Sequence, residues 1–336
     1  MSFSMKGIEI LGTGSFVPEF IADNDKFSEI LDTSDEWIFP RTGIKQRHIA
    51  TDIPNYYMGG EAAKKALQTA NFSAEDVDLI IVSTCTPDFF YPAMSCLIQK
   101  HIGAKNAACI DVNSACTGFI TSIDMAQSFL ASGRHKNVLI VSSEKLSQQV
   151  DYTDRASSIL FGDAAGAVLI TAGDKPFYSY LGAQGDEFEA LYCKVSYEAN
   201  CPWYGDIDKF YNNRFDTPQK QHFLMQDGKA VYKFAVNAMA DAVRNVAGQW
   251  GCELSEIDLV LPHQANLRII EKATELLGIP SEKVYTNIEH MGNVSSACIP
   301  ICLNELNEAG KIKPGMKICF VGFGAGLTFG AALLET

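Results

Sequence analysis

A thiol, an imidazole and a carboxamide each stand in this chain where an apolar strand runs into a helix. Cys116 lies in Asp111-Val-Asn-Ser-Ala-Cys116-Thr-Gly-Phe119, behind a strand and ahead of an apolar helical pattern. At a helix N-terminus the unpaired N–H groups and the macrodipole favour thiolate over thiol. Thiol pKa values well below the free value of about 8.5 occur there, so Cys116 is a candidate nucleophile with a lowered pKa. Free cysteines are more often simply buried, and position alone does not decide between the two. His263, in Pro262-His-Gln-Ala-Asn-Leu-Arg268, follows the apolar run 258–261 and sits at the usual mouth of an α/β site. A hydrogen-bonded structural histidine is the alternative. Asn293, after Gly292, starts a helical pattern as either a working amide or a plain N-cap. The run Gly322-Phe-Gly324-Ala325-Gly326 lacks the Walker lysine and the dinucleotide spacing. Close backbone approach to a reacting carbonyl suits it better than phosphate cradling.

The elements that position these residues occur twice. A helix pattern ending at Asn71 leads through an acidic loop into the strand at 78–82, and one ending near Trp250 leads likewise into 258–261. The strand ending near Val112 enters the Cys116 helix, which closes at Ala131-Ser-Gly133 before the strand 138–141. In the second half Val284-Tyr-Thr-Asn287 precedes Asn293, whose helix closes at Glu308-Ala-Gly310 before the strand 318–321. The run Phe161 to Ile170 parallels Phe323 to Leu334. The pattern predicts an α/β protein of two duplicated halves about a pseudo-twofold axis, with Cys116 and Asn293 as equivalent helix openers. The halves span 1–174 and 226–336, joined by an aromatic-rich segment at 175–225 that shapes the pocket rather than serving as a flexible linker.

Composition narrows the class. With 336 residues and 47% hydrophobic content the chain has ample core. A net charge of −13 argues against broad nucleic-acid or anionic-membrane binding. No apolar run is long enough for membrane insertion and no secretory pattern opens the chain, so a cytoplasmic location is expected. Ten cysteines without a C-x-x-C pair, and six histidines without an H-E-x-x-H, suggest free thiols and no metal.

Together these residues resemble the type III β-ketoacyl-acyl-carrier-protein synthases, members of the thiolase-like fold. The resemblance covers almost the whole chain: Asp32-Thr-Ser-Asp-Glu-Trp37, Arg41-Thr-Gly-Ile44, Ala115-Cys-x-Gly-Phe119, Asp154-Arg155, Phe161-Gly-Asp163, Pro262 to Ile270, and Gly292-Asn293. It implies an α-β-α-β-α layered fold and makes Cys116, His263 and Asn293 the catalytic set. The activity implied is decarboxylative condensation of an acyl-CoA starter with malonyl-acyl carrier protein. It would be ping-pong through an acyl-cysteine, with acyl-CoA as substrate and no cofactor. His263 and Asn293 would stabilise the enolate. The backbone N–H of Cys116 and one from Gly324, Ala325 or Gly326 would hold the oxyanion. The family has three consecutive glycines there, and Ala325 cannot readily take a positive φ.

The resemblance also assigns binding roles. Trp37 and Arg155 would sandwich the CoA adenine, with Arg41 and Asn266 in the same CoA-binding region and Asn266 as a supporting amide near His263. Arg268, with Lys229, Lys233 and Lys272, would meet an acidic carrier protein. Tyr91 would reach into the acyl pocket of a partner subunit, which implies a homodimer. A specialised condensing enzyme of secondary metabolism remains open, given the unusual 190–222 segment. A degradative thiolase is disfavoured because Cys319 lies inside a strand and too early before Gly324. A non-catalytic scaffold is disfavoured because all three catalytic residue types are present.

Overall fold

Two sheets repeat one strand plan. A computed structural model describes residues 7–194 and 223–336. Strands β1 (Gly7–Phe16), β2 (Leu79–Ser83), β3 (Ala108–Val112), β4 (Asn137–Lys145) and β5 (Asp163–Gly173) form the first sheet. Their order is β1-β5-β4-β2-β3. Strands β6 (Phe177–Ala183), β7 (Leu259–Pro262), β8 (Lys317–Gly324) and β9 (Thr328–Glu335) form the second, in the order β6-β9-β8-β7. In the first sheet β2 runs parallel to β3 and β4, while β5 is antiparallel to β4 and β1. The second copies this, with β7 parallel to β8 and β9 antiparallel to β8 and β6. The pairing of β6 with β9 brings the chain just after residue 174 into the second sheet.

One strand of the copy is missing. The strand expected over 284–287 is a single bridge between Val260 and Val284. Beyond it, the Tyr285 hydroxyl and the Asn287 amide donate to Glu305 at 3.1 and 3.0 Å.

Helices α1 (Asp35–Thr42), α2 (Asn55–Thr69), α3 (Met94–Ile102), α4 (Gly118–Ala131), α5 (Gly228–Trp250), α6 (Leu267–Leu277) and α7 (Cys298–Glu308) complete the layers. Three apolar clusters hold the layers together. Met58, Ala62 and Ile98 of α2 and α3 pack with Val82, Val141 and Leu169 of the first sheet. Val243 and Ile269 of α5 and α6 pack with Val321 and Leu333 of the second. Between the sheets lie α4 and α7, with Phe119, Ile120, Ile123 and Leu303 meeting Ile81 on one side and Phe320 on the other. A helix apolar on most of its surface can only be an inner one, and α4 is such a helix. Phe119 meets Phe320 edge to face at 5.5 Å, a geometry that contributes about 0.5–1.5 kcal/mol beyond buried area. The result is the α-β-α-β-α arrangement.

The equivalence of Cys116 and Asn293 is corrected by the turns that open α4 and α7. Each helix begins after a short 3-10 turn, Ala115–Thr117 or Ser295–Ala297. Each turn starts at a residue with positive φ, +45° at Ala115 and +49° at Ser295. Ahead of it an asparagine oxygen accepts that residue's N–H: Asn113 from Ala115 at 3.4 Å, Asn293 from Ser295 at 2.9 Å. Cys116 therefore matches Ser296, and Asn293 matches Asn113. The two catalytic candidates come from different positions of the repeated turn.

Candidate active site

Sharp backbone turns and absent side chains shape the cysteine corner. A non-glycine residue in the left-handed region is disfavoured by roughly 1–2 kcal/mol, and Ala115 accepts that conformation immediately before Cys116. The Thr117 N–H donates to the Ser114 carbonyl at 3.1 Å and its hydroxyl to the same oxygen at 2.7 Å, which fixes the turn. A Cβ on Gly118 would fall 1.8 Å from the Ser83 hydroxyl, and one on Gly324 would fall 2.8 Å from the Cys116 nitrogen. Glycine at 324 is what lets the β8 loop lie against the backbone N–H of the cysteine.

The protonation of Cys116 differs from the sequence expectation. Burial pushes its thiol up to about 12, Glu144 adds to the rise through its charge, and the Ser295 hydroxyl and the Cys116 backbone pull the other way. Cys116 lines the pocket and is half-buried, and desolvation outweighs the helix terminus. The resting residue is a thiol.

His263 is fixed by its backbone, which donates to the Val321 carbonyl at 2.8 Å, and its ring packs edge-on against Phe323 at 5.5 Å. A Cβ on Gly322 would lie 3.1 Å from the His263 Cβ. Burial lowers its pKa to about 3, with the Ser295 backbone opposing slightly, so the imidazole is neutral around pH 7. Asn293 is clamped to the other half: its N–H donates to the Leu160 carbonyl at 2.9 Å and its own carbonyl accepts the Gly162 N–H at 3.0 Å. Its side-chain oxygen is committed to the Ser295 N–H, which leaves the Nδ2 half as donor.

The concern over Ala325 is resolved by where the positive φ falls. It lies at Gly326, φ +140°, and Ala325 keeps a φ that any residue can adopt. The Thr328 hydroxyl is within 3.0 Å of the Ala325 carbonyl and 2.9 Å of the Thr117 hydroxyl, which ties the loop to the cysteine turn.

Cys116, His263 and Asn293 line one pocket of ≈ 1640 Å³, together with Trp37, Arg41, Tyr91, Asn266, Ala325 and Gly326. The slot that the resemblance assigns to adenine, near Trp37, is closed on itself. The Arg155 guanidinium lies 4.3 Å from the indole centroid and donates to the Asp32 carbonyl at 2.6 Å; that of Arg41 lies 4.6 Å from the indole. A base could stack on Trp37 there only after Arg155 moves. Asn266 does not reach His263. Its oxygen caps α6 through the Arg268 N–H at 2.9 Å and its amide donates to the Arg41 carbonyl at 3.0 Å. Arg268 donates to the Pro40 carbonyl at 3.0 Å, and Lys272 pairs with Glu275 at 2.8 Å. Lys229 and Lys233 lie on α5, where no described carboxylate forms an ion pair with either. Tyr91 is 88% exposed, beside exposed Phe89 and Phe90.

The sequence reading missed Glu144 and Ser295. Glu144 ends an apolar strand run, where a carboxylate reads as the first exposed residue, yet it is fully buried. Ser295 carries no signal beyond its match to Ala115. Of the 190–222 segment, residues 195–222 lie outside the described residues. Among the described residues no cluster of His, Cys, Asp or Glu could hold a metal ion, and no helix is long and apolar enough to cross a membrane.

Known proteins are similar to this chain over almost all of its length. The family model for 3-oxoacyl-[acyl-carrier-protein] synthase III matches residues 110–185, and that for its C-terminal part matches 248–336. The β-ketoacyl-[acyl-carrier-protein] synthase III of Clostridium acetobutylicum is 42% identical over 333 residues, 98% of this chain and 99% of that protein. The crystal structure of 3-oxoacyl-[acyl-carrier-protein] synthase III from Aquifex aeolicus superimposes with a TM-score of 0.89 at 41% identity, covering 98% of this chain and 100% of that one. The priming β-ketosynthase of the R1128 polyketide pathway superimposes with a TM-score of 0.89 at 33% identity, covering 98% and 97%.

Proposed function

The chain belongs to the 3-oxoacyl-[acyl-carrier-protein] synthase III family, the condensing acyltransferases that initiate fatty acid synthesis, and we propose that it works through an acyl-Cys116 intermediate. The observation that carries this reading is the meeting of Cys116, His263 and Asn293 in one pocket, with Gly324 pressed against the Cys116 N–H.

In the first half-reaction the Cys116 sulfur bonds to the acyl carbonyl, the bond to the CoA sulfur breaks, and the cysteine proton ends on the released CoA thiol. The oxyanion formed on the way is held by the Cys116 N–H and an N–H of the 324–326 loop. CoA then leaves and malonyl-acyl carrier protein takes its place, which makes the kinetics ping-pong. Loss of carbon dioxide puts negative charge on the malonyl thioester oxygen. Neutral His263 and the Asn293 Nδ2 donate to it, and two preorganised donors in a dry site can supply several kcal/mol. The enolate carbon attacks acyl-Cys116 and its C–S bond breaks, giving the 3-oxoacyl-carrier protein and the Cys116 thiolate, which takes up a proton from water.

Trp37, Arg41 and Arg155 suit the nucleotide end of CoA. Trp37 and Arg155 are half-buried at the pocket mouth, and a cation–π contact that keeps access to water is worth about 0.5–1 kcal/mol, so a base can displace Arg155 at small cost. Lys229 and Lys233 are better placed than paired Lys272 to meet an acidic carrier protein. The homodimer reading is supported by β3, which pairs with a described strand on one edge only, and by the exposed Phe89, Phe90 and Tyr91 beside the pocket. Exposed apolar clusters of this kind mark contact surfaces.

A second reading, a priming synthase of secondary metabolism, is favoured by the likeness to the R1128 ketosynthase. Incubating the purified protein with a panel of acyl-CoA starters and malonyl-acyl carrier protein, with mass analysis, separates the two. Release of short 3-oxoacyl-carrier protein is the expected product. Turnover confined to an unusual starter or another extender supports the second reading, and no condensation with any pair overturns both.

A further inference from the structure

Arg47 is wholly buried, and the proposed chemistry does not use it. It stands in an antiparallel ribbon that pairs Phe20–Asp23 with Gln46–Ile49. A guanidinium is seldom fully buried without a carboxylate against it, yet among the described residues this one bonds to uncharged oxygens only. Its Nε donates to the Ile159 carbonyl at 2.7 Å and one Nη donates to the same oxygen, while the other Nη donates to the Asn24 side-chain oxygen at 2.6 Å. The Phe27 ring covers the group at 4.6 Å. Asn24 is fixed in turn, because its amide nitrogen donates to the Ile44 carbonyl at 2.8 Å and to Asp35 at 2.7 Å.

The segment held by this guanidinium is the one that clamps Asn293. Ile159 leads into Leu160, whose carbonyl accepts the Asn293 N–H, and Gly162, whose N–H donates to the Asn293 carbonyl. The arginine stem lies against both sides of that clamp. A Cβ on Gly292 would fall 2.9 Å from the Arg47 Cγ, and one on Gly162 would fall 3.3 Å from the Arg47 Cβ. Gly292 also has φ +66°, which favours glycine, so the turn into Asn293 can lie directly on the arginine. Arg47 itself forms no part of the pocket wall.

We propose that Arg47 is a positioning residue for Asn293: its guanidinium fixes residues 159–162 and its stem backs Gly292, so that the Asn293 amide is held where charge develops during decarboxylation. This rests on Asn293 being a donor to the enolate. Such a donor is effective only when it is aimed beforehand, and a displacement of about 1 Å can cost a hundredfold in rate. The planar fork explains the residue type. Two N–H groups on one carbonyl and a third on Asn24 fix both the place and the rotation of the group, which the point charge of a lysine cannot do. Cys116 is placed by other contacts, the Ala115–Thr117 turn and Gly324, so loosening the clamp should spare acylation.

The test follows both half-reactions in Arg47→Lys, Asn24→Ala and Asn293→Asp, with radiolabelled acyl-CoA for acylation and carbon dioxide release from malonyl-carrier protein for decarboxylation. Arg47→Lys keeps the charge and loses the fork. Its decarboxylation kcat should fall about tenfold or more with KM little changed, while the rate of acylation stays within about threefold of wild type. Asn24→Ala frees one arm of the guanidinium and should shift the ratio of the two rates the same way by a smaller factor. Uptake of label also reports that a variant is folded, and if Arg47→Lys takes up none, the ratio in Asn24→Ala decides. Both half-reactions falling together, or neither falling, overturns the proposal and leaves Arg47 as packing. Asn293→Asp separates the two ideas: wild-type decarboxylation there removes Asn293 as donor and the proposal with it, whereas a loss there beside an unchanged Arg47→Lys removes the positioning role alone.

Discussion

The side-chain oxygen of Asn293 accepts the Ser295 N–H at 2.9 Å, and this contact decides which half of the amide is left as donor. Aspartate at 293 would keep that acceptor and lose the Nδ2 donor. Asn293→Asp should fold and accept an acyl group from radiolabelled acyl-CoA. Its decarboxylation of malonyl-carrier protein should fall about a hundredfold or more, the usual effect of removing one oxyanion donor. Equal loss of both half-reactions would contradict the assignment.

His263 is expected to act as a neutral donor across the working pH range, because burial lowers its pKa to about 3. Decarboxylation should show no histidine limb between about pH 5 and pH 8, where a free imidazole titrates. The same shift has a stability sign. Between the folded value of about 3 and the ordinary 6.5 the unfolded chain binds the extra proton, so this group's contribution is fully present above pH 6.5 and is lost as pH falls toward 3. A decarboxylation profile bending near pH 6.5 would refute the neutral-donor role.

Ala325 should be replaceable and Gly326 should not. With φ +140° at Gly326, a side chain there is strained whatever the space, and its Cβ would also lie 2.7 Å from the Thr328 methyl. Ala325→Gly should leave kcat within about threefold, whereas Gly326→Ala should lower it by tenfold or more, in line with loss of an oriented oxyanion donor. Steady-state kinetics on both variants gives the comparison.

How much of this was legible beforehand follows from the kind of signal each residue leaves. The duplicated halves, α4 and the placing of Cys116, His263 and Asn293 where strands run into helices are written in local patterns: apolar strand, small-residue turn, helix. The protonation of Cys116 is not, because it depends on Glu144 and on walls from both halves that only folding brings together. The match of Cys116 with Ser296 was obscured for a related reason: a 3-10 turn opening with Ala115 in one half opens with Ser295 in the other, and neither type advertises positive φ. The Trp37–Arg155 stack joins residues far apart in the chain, and 284–287 keeps only one bridge while Tyr285 and Asn287 bond to Glu305, a partner that β-propensity does not see.

Arg155 rests on Trp37 at 4.3 Å, so its removal should expose the indole face while taking away one side of the base stack. Arg155→Ala is expected to raise KM for acyl-CoA several-fold with kcat little changed, since a cation–π contact that keeps access to water contributes only about 0.5–1 kcal/mol. A large fall in kcat without a change in KM would place Arg155 in the chemistry instead of in CoA binding.

The most direct measurement is the behaviour of Cys116→Ala in the two half-reactions, followed by radiolabelled acyl-CoA for acylation and by carbon dioxide release for decarboxylation. The variant should take up no label and form no condensation product, yet still decarboxylate malonyl-carrier protein, because that step draws on His263 and Asn293 alone. Condensation at near wild-type rate, or label retained in the variant, would contradict Cys116 as the acyl carrier.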